Sequence, residues 1–470
     1  MKYFITGSSA ATYDVYNPAI DSLVGTINCA REAEVDAAVA AARAAFEPWA
    51  ATPAAKRAAL MNKFADLLDA NSEELVKAEV QAMGQPVAIV GGFIVPVTAQ
   101  TFRYYAGWAD KIEGQTFPAE GDRLNIVQYE PIGVCAGIGP WNVTISTLSW
   151  KVAPALAAGN TVVYKTSEKS PFSVLVLARL VKEAGFPPGV FNIVSGDGAT
   201  GALLASHMDI DKISFTGSGP SGRKVIDAAA KSNLKKVTLE LGGKSPSLVF
   251  EDADIESALT GNSQGFLFNS GQVCVAASRL FVQASIADKF IEGLKARFQG
   301  LDAAMGDPTS PNTFFGPLAD KAQLERVLGY IEAGKSEAKL LVGGERKGDK
   351  GTFVQPTIFL NPAKTARIYK EEIFGPVLSV LTFETEEEAV KLANDTSYGL
   401  SATVYTGSTG RAIRVASQIK AGTVGVNAPF MPSMGSPFGG YKQSGSGREL
   451  GKEGLMAYLQ AKSISISLAV

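Results

Sequence analysis

KISFTG (212–217) and KVTLELGG (236–243) are two short β-like runs, and a helical pattern across 220–231 separates them. Parallel strands need a long crossover between them, so a strand–helix–strand run of this length reads as one unit of a parallel sheet. The alternation extends upstream. GVCAGI (133–138), TVVYK (161–165) and GVFNIVSG (189–196) are further strand candidates, and a helical pattern covers 171–185. Pro171 suits the start of that helix and Gly185 its end. The expected fold class is α/β, built on an open, largely parallel sheet whose ligands bind beyond the carboxyl ends of the strands.

The same rhythm resumes near residue 244. SLVFED is a strand candidate, followed by a helix leading to 274, the strand RLFVQ (279–283) and a helix across 285–298. LLVGG, a loop around EEIFGPV, the strand VLTFE and a helix across 385–395 follow. Two such sections suggest two α/β domains with a cleft between them. Ahead of both lie alanine-rich amphipathic helices: Val35, Ala38, Val39, Ala42 and Phe46 recur at helical spacing, as do Ala59, Leu60, Phe64, Leu67 and Leu68 after Pro53. The last run, SISISLAV, alternates as an edge strand would. Such an edge needs cover, from another subunit or from the same one.

With 470 residues, 46% of them apolar, 19% charged and a net charge of −2, the chain reads as a soluble globular protein of two or three domains. That charge argues against a nucleic-acid or anionic-membrane partner. KSNLKK (231–236) is the strongest local positive patch and reads as a solvated loop. Cys29, Cys135 and Cys274 have neither zinc-ligand spacing nor a complete disulfide framework, so no metal is expected. MKYFITGSSA lacks a secretory core, and no run of 18 nearly uncharged apolar residues is expected, which makes the cytoplasm the expected location.

Several residues have the chemistry for catalysis. Cys274, in NSGQVCVAASR, lies between two valines, where a cysteine is more often an inert small hydrophobe than a nucleophile. Glu240, in TLELGGKSP, is either a satisfied buried acid or a general base raised by desolvation. Asn142, in GIGPWNVT, suits a helix cap or an oxyanion donor equally. Lys165 and Glu168 follow a strand end, where they read as loop charges or as ribose contacts. FTGSGPSG, from Phe215 through Gly217 and Ser218, sits where a dinucleotide loop would but lacks the strict G-x-G-x-x-G spacing. His207 has no metal-ligand cluster around it and reads as structural or surface-bound.

PWN (140–142), FTGS (215–218), LELGGK (239–244), GQVC (271–274), EEIFGPV (371–377) and PFGGYKQSGSGRELG (437–451) stand in this order along the chain. In that order and approximate spacing they resemble the aldehyde dehydrogenase superfamily, NAD(P)-dependent and of the non-acylating, hydrolytic type. The resemblance implies a Rossmann-like cofactor domain (1–113 and 132–242), an α/β catalytic domain (243–443) and a small β oligomerisation element (114–131 and 456–470). It implies a homodimer or homotetramer formed through the C-terminal strand.

By the same resemblance Cys274 attacks an aldehyde, Asn142 and the Cys274 backbone N–H stabilise the oxyanion, and Glu240 activates the water that hydrolyses the thioester. Glu372 corresponds to the contact with the nicotinamide-side ribose, with Phe374 packing nearby. Lys165 and Glu168 correspond to the adenosine-ribose contacts and Ser218 to the pyrophosphate turn. Ile138, Pro140, Trp141, Phe215, Gly217 and Leu241 complete the implied cofactor set. Glu168 favours NAD⁺ over a 2′-phosphorylated cofactor, while Lys165 moderates that preference, so NADP⁺ stays open. The implied substrate channel comprises Val143, Thr147, Trp150, Val273, Val275, Met431, Pro432 and Phe438. It is apolar and points to an uncharged aliphatic or aromatic aldehyde. The alternatives are a CoA-acylating relative, which Glu240 opposes, and a catalytically silent NAD-binding protein, which the intact Cys274, Glu240 and Asn142 oppose.

Overall fold

The computed structural model describes residues 4–5 and 10–469. In its first large sheet five parallel strands run in the spatial order Phe191–Val194, Thr161–Lys165, Val134–Ile138, Lys212–Thr216, Lys236–Glu240. This is the doubly wound order, which reverses direction between Val134–Ile138 and Lys212–Thr216 and opens a crevice beyond their carboxyl ends. Every residue of the three central strands is buried, as helices on both faces require. Phe4–Ile5 adds in parallel at one edge and Gly445–Ser446 antiparallel at the other. Gly445 is forced there: its φ of +146° and the Leu239 carbonyl leave no room for a side chain.

The second sheet has the order Lys339–Val342, Thr357–Leu360, Val377–Phe383, Arg279–Gln283, Pro246–Val249, Ser401–Tyr405, Thr423–Val426, with only the first strand antiparallel. RLFVQ forms a strand over the expected residues, and the helices at 171–185 and 220–231 form as Phe172–Ala184 and Gly219–Lys231. Gly185 closes the former with a φ of +91°, the left-handed cap that glycine adopts without strain.

Four expectations need correction. No continuous helix leads to residue 274: the helix Ile255–Thr260 widens into a π-turn at Gly261–Gly265, and Asn269, Ser270 and Gly271 then turn left-handed (φ 51°, 57° and 71°). In the second N-terminal helix, Ala54–Ala70, the buried stripe is Arg57, Met61, Phe64, Ala65 and Leu68, while Ala59 faces solvent. Lys235 of the basic patch is buried, donating to the Ala205 carbonyl at 2.7 Å just before the end of the helix Gly198–Ser206, where a cation complements the helix dipole. Finally, Val87–Ala106 is long and apolar enough to cross a membrane by composition alone. It packs on Ala54–Ala70 and on the helix Thr144–Ala157, and the side turned to them buries Val90, Ile94, Val95, Ala99, Phe102 and Tyr105.

The C-terminal strand Leu459–Ser467 pairs antiparallel with Arg123–Pro131 of its own chain, from Leu459 opposite Pro131 to Ser467 opposite Arg123. Arg123–Pro131 pairs in turn with Gln115–Thr116, so the other edge of the C-terminal strand has no partner among the described residues.

Phe64 anchors the core beneath the first sheet, with ring centroids 4.8 Å from Phe102, 6.1 Å from Phe186 and 6.3 Å from Phe191. Truncation of a fully buried phenylalanine costs about 3–5 kcal/mol. Phe64→Ala is expected to move the urea unfolding midpoint accordingly, and an unchanged midpoint would contradict this packing.

Candidate active site

The carboxyl ends of the first sheet's strands, at Ile138, Lys165, Thr216 and Glu240, face one cavity of about 1310 Å³, and the loops at 273–277 and 372–374 that lead into strands of the second sheet line it from the other side. Every site residue named from the sequence lines it, whether assigned to catalysis, cofactor or channel. Three loops meet at its centre without room for side chains. A Cβ on Gly242 would enter the Glu372 carboxylate, one on Gly243 would strike the Cys274 carbonyl, and one on Gly271 would strike the Gly375 carbonyl. These glycines explain why LELGG, GQVC and EEIFGPV come together.

Cys274 is half-buried in this knot. Burial, reinforced by the nearby Glu240 and Glu372 carboxylates, holds its thiol pKa well above the usual range. Glu240 ends the strand Lys236–Glu240, is 2% exposed, and leaves Oε1 without a hydrogen-bond partner. Burial and then the Glu449 carboxylate push its pKa well up, against Lys151 and Arg448. The side-chain amide of Asn142 donates to the Gln272 carbonyl at 2.8 Å, which places it beside the Cys274 loop. A neutral thiol, a desolvated carboxyl and an amide donor around one apolar opening can support thiol addition followed by base-assisted hydrolysis.

On the other side the cavity fits a dinucleotide. Ser218 caps the helix Gly219–Lys231, its Oγ accepting from the Ser221 N–H at 3.4 Å, and that helix N-terminus faces the cavity as an anion site. Gly201, Ala202, Ala205, Val225 and Ala228, from two neighbouring helices, line a slot of small apolar side chains that suits a flat ring. Lys165 is buried, with its Nζ 3.5 Å from Glu168, and burial lowers its pKa while Glu168 opposes the shift. The Glu372 carboxylate accepts the Gly243 N–H at 2.9 Å. Burial raises its pKa to about 7 despite that bond. Phe374, held at a φ of 60°, meets the Trp141 ring edge-on at 5.2 Å. The helix Lys321–Glu337 fixes this loop: Arg326 donates to the Glu372 carbonyl at 2.8 Å and Gln323 to the Phe374 carbonyl at 2.7 Å.

Sequence reasoning missed several wall residues. Phe93 and Val97 come from the Val87–Ala106 helix, and Phe268 and Phe430 join them around the apolar opening. Phe268 and Phe430 stand next to motifs already identified, whereas nothing in the local sequence marks Phe93. The Lys151–Glu449 pair behind Glu240 was also missed: Nζ and Oε1 lie 2.5 Å apart, both groups are buried, and Lys151 also reaches Thr216. Cys29, Cys135 and His207 do not line the cavity; His207 lies 3.2 Å from Asp36.

Comparison with known proteins agrees with this geometry. The aldehyde dehydrogenase family model matches residues 4–464, and the chain belongs to that family of NAD(P)-dependent oxidoreductases. An aldehyde dehydrogenase of Davidiella tassiana is 49% identical over 468 residues, covering 99% of this chain and 94% of its own. The NAD⁺ complex of an aldehyde dehydrogenase from Bacillus cereus superposes with a TM-score of 0.96 at 44% identity, covering 99% of this chain and 95% of that one. P. syringae AldA, an indole-3-acetaldehyde dehydrogenase in complex with NAD⁺ and IAA, has the same TM-score at 41% identity, with 98% and 94% covered.

Because the Glu240 charge helps to hold the Cys274 thiol neutral, Glu240→Gln is expected to move the pH profile of Cys274 alkylation by iodoacetamide to lower pH. A midpoint that stays in place or rises would contradict the electrostatic coupling.

Proposed function

We propose that the protein oxidises an uncharged aldehyde to the carboxylic acid, with Cys274 as nucleophile, Asn142 as oxyanion donor and Glu240 as base for hydrolysis. The observation that carries this reading is that Cys274, the Glu240 carboxylate with its buried Oε1 free of a partner, and the Asn142 amide line one cavity, where an apolar opening meets a dinucleotide-sized slot. Addition of the Cys274 Sγ to the carbonyl carbon puts negative charge on the aldehyde oxygen. A second Asn142 amide hydrogen is available to that oxygen, because the Gln272 carbonyl takes only one. The chemistry supplied by bound NAD⁺ is that of a hydride acceptor. The thioester then left on Cys274 is attacked by water whose proton goes to Glu240, and desolvation makes that carboxylate a stronger base than an exposed one.

For the cofactor we read Ser218 as facing the pyrophosphate, Lys165 and Glu168 the adenosine ribose, and Glu372 with Phe374 the nicotinamide end. The Glu168 carboxylate on the cavity wall disfavours a 2′-phosphate, which supports NAD⁺ over NADP⁺. We read residues 1–113 and 132–242 as the cofactor-binding domain, 243–443 as the catalytic domain and 114–131 with 456–470 as the oligomerisation element. The free edge of Leu459–Ser467 is the surface we assign to assembly with further copies.

Around the apolar opening the rings of Phe93 and Phe268 meet at 5.9 Å, those of Trp150 and Phe438 at 5.1 Å, and those of Phe430 and Phe438 at 6.2 Å. The cations lining the cavity, Lys165, Lys169, Lys224 and Arg326, come from the segments that form its cofactor side. In an aldehyde panel run with NAD⁺ and NADP⁺ in parallel, benzaldehyde and hexanal should exceed succinic semialdehyde in kcat/KM by about tenfold or more, since desolvating an unpaired carboxylate is costly. Faster turnover of the semialdehyde would overturn the substrate class. Cys274→Ala should abolish aldehyde-dependent NADH formation.

In rapid mixing, Glu240→Gln should slow thioester hydrolysis more than acylation. Free acid should be the product in the presence of CoA. An unchanged deacylation rate removes Glu240 from its role, and acyl-CoA outpacing free acid would assign the chain to the acylating reaction.

A further inference from the structure

Asn142 is held from outside the motif that contains it. The helix Ser72–Met83 ends at Gly84, whose φ is +70°. A Cβ there would lie 2.5 Å from Pro317 and 2.9 Å from Pro18, so the turn is clamped between two prolines. The next residue, Gln85, is 1% exposed, and its Nε2 donates to the Asn142 backbone carbonyl at 2.7 Å. The Asn269 side chain donates to the same carbonyl at 3.1 Å and to the Gln272 carbonyl at 3.3 Å. Gln272, which accepts the Asn142 side-chain amide, is itself pinned: its Nε2 donates to Asn269 and Pro317 carbonyls, and its Oε1 accepts the Ala319 N–H at 2.9 Å. Pro317 therefore touches both the Gly84 turn and the residue that leads to Cys274.

Gln85 has a second feature. Its Oε1 is buried without a partner. A spacer in this position would be better apolar, because an unpaired buried amide oxygen is costly. What the glutamine supplies is the Nε2 donor.

We propose that Gln85 is a positioning residue for the reaction, setting the Asn142 main chain so that the free Asn142 amide hydrogen meets the oxygen that becomes negative when Cys274 adds to its substrate. This rests on the reading of Asn142 as oxyanion donor, and the test separates the two. Acyl transfer from p-nitrophenyl acetate to Cys274 forms the S–C bond, breaks the ester C–O bond and releases p-nitrophenolate. The proton of the thiol goes to water. The step passes through the same oxyanion and needs no hydride acceptor.

Misaiming a donor by a fraction of an ångström to an ångström costs up to about a hundredfold, so Gln85→Met should slow the p-nitrophenolate burst by about ten- to a hundredfold. The Kd for NAD⁺ should stay at the wild-type value. Asn142→Ala should slow the burst by about a hundredfold or more. The double variant should be no slower than Asn142→Ala alone, since Gln85 acts through Asn142. Gln85→Lys, which keeps a donor of similar reach and drops the unpaired oxygen, should recover most of the rate. Gln85→Asn, polar but too short to reach the carbonyl, takes the place of Gln85→Met should that variant not fold. Additive losses in the double variant, or a loss of NAD⁺ affinity equal to the loss in burst rate, would overturn the positioning role. A slow Asn142→Ala with a fast Gln85→Met overturns it alone. An Asn142→Ala enzyme that acylates at the wild-type rate overturns the oxyanion reading, and the proposal with it.

Discussion

The close approach of three backbones at Gly242, Gly243 and Gly271 is the constraint on which the site depends. The first two follow the strand Lys236–Glu240 of one sheet, and the third closes the left-handed turn that delivers Cys274 in the other half of the chain. With no side chain between them, Glu372 reaches the Gly243 N–H and Gly243 lies against the Cys274 carbonyl. The strand Gly445–Ser446 completes the knot from the far edge, where the Leu241 N–H donates to the Ser444 carbonyl at 2.9 Å. A methyl group at either glycine of the pair would displace the Glu372 carboxylate or the Cys274 backbone. The cleft is thus a product of absent side chains as much as of present ones.

That closeness sets the charge state. Cys274, Glu240 and Glu372 all lie within one desolvated space, and for each of them burial is the first cause of a raised pKa. Each carboxylate also bears on the thiol, so ionising one opposes ionising the next. The Lys151 amine behind Glu240 works the other way, and its pairing with Glu449 weakens that help. Burial makes each ionisation in this space costly, so a charge that develops there during reaction has much to gain from a partner. A preorganised amide donor is worth most under those conditions, because a low dielectric strengthens the interactions made in it.

The sheets were legible because their strands are short, apolar and separated by helices of ordinary length. Thr161–Lys165, Lys212–Thr216 and Arg279–Gln283 form within a residue of where the pattern puts them. The approach to Cys274 was not legible. The apolar spacing before it is helical, yet crowding at Gly271 imposes a left-handed turn that no local propensity encodes. Lys235 misled for a related reason: what it faces, the Ala205 carbonyl, is supplied by a helix thirty residues earlier in the chain. The C-terminal strand shows the opposite case. Its alternation was plain, but only the structure shows that Arg123–Pro131 covers one edge and leaves the other open.

The motif residues were legible as chemistry, and their supports were not. Cys274, Glu240 and Asn142 carry polar or nucleophilic groups inside motifs that mark them out in the sequence. Gln85, Asn269 and Pro317 are not marked out in this way, and they lie up to 232 residues apart, from Gln85 to Pro317. Their role appears only when the turn at Gly84, the left-handed run before Cys274 and the loop at Pro317 fold against each other. Three ordinary structural features, a helix cap, a strained turn and a proline loop, then converge on one carbonyl and one amide. Precision at Asn142 is therefore a property of the packing between the two halves of the chain. A change that loosens this packing should reach the chemistry before it reaches the fold, because hydrogen-bond aim fails over smaller displacements than apolar contact does.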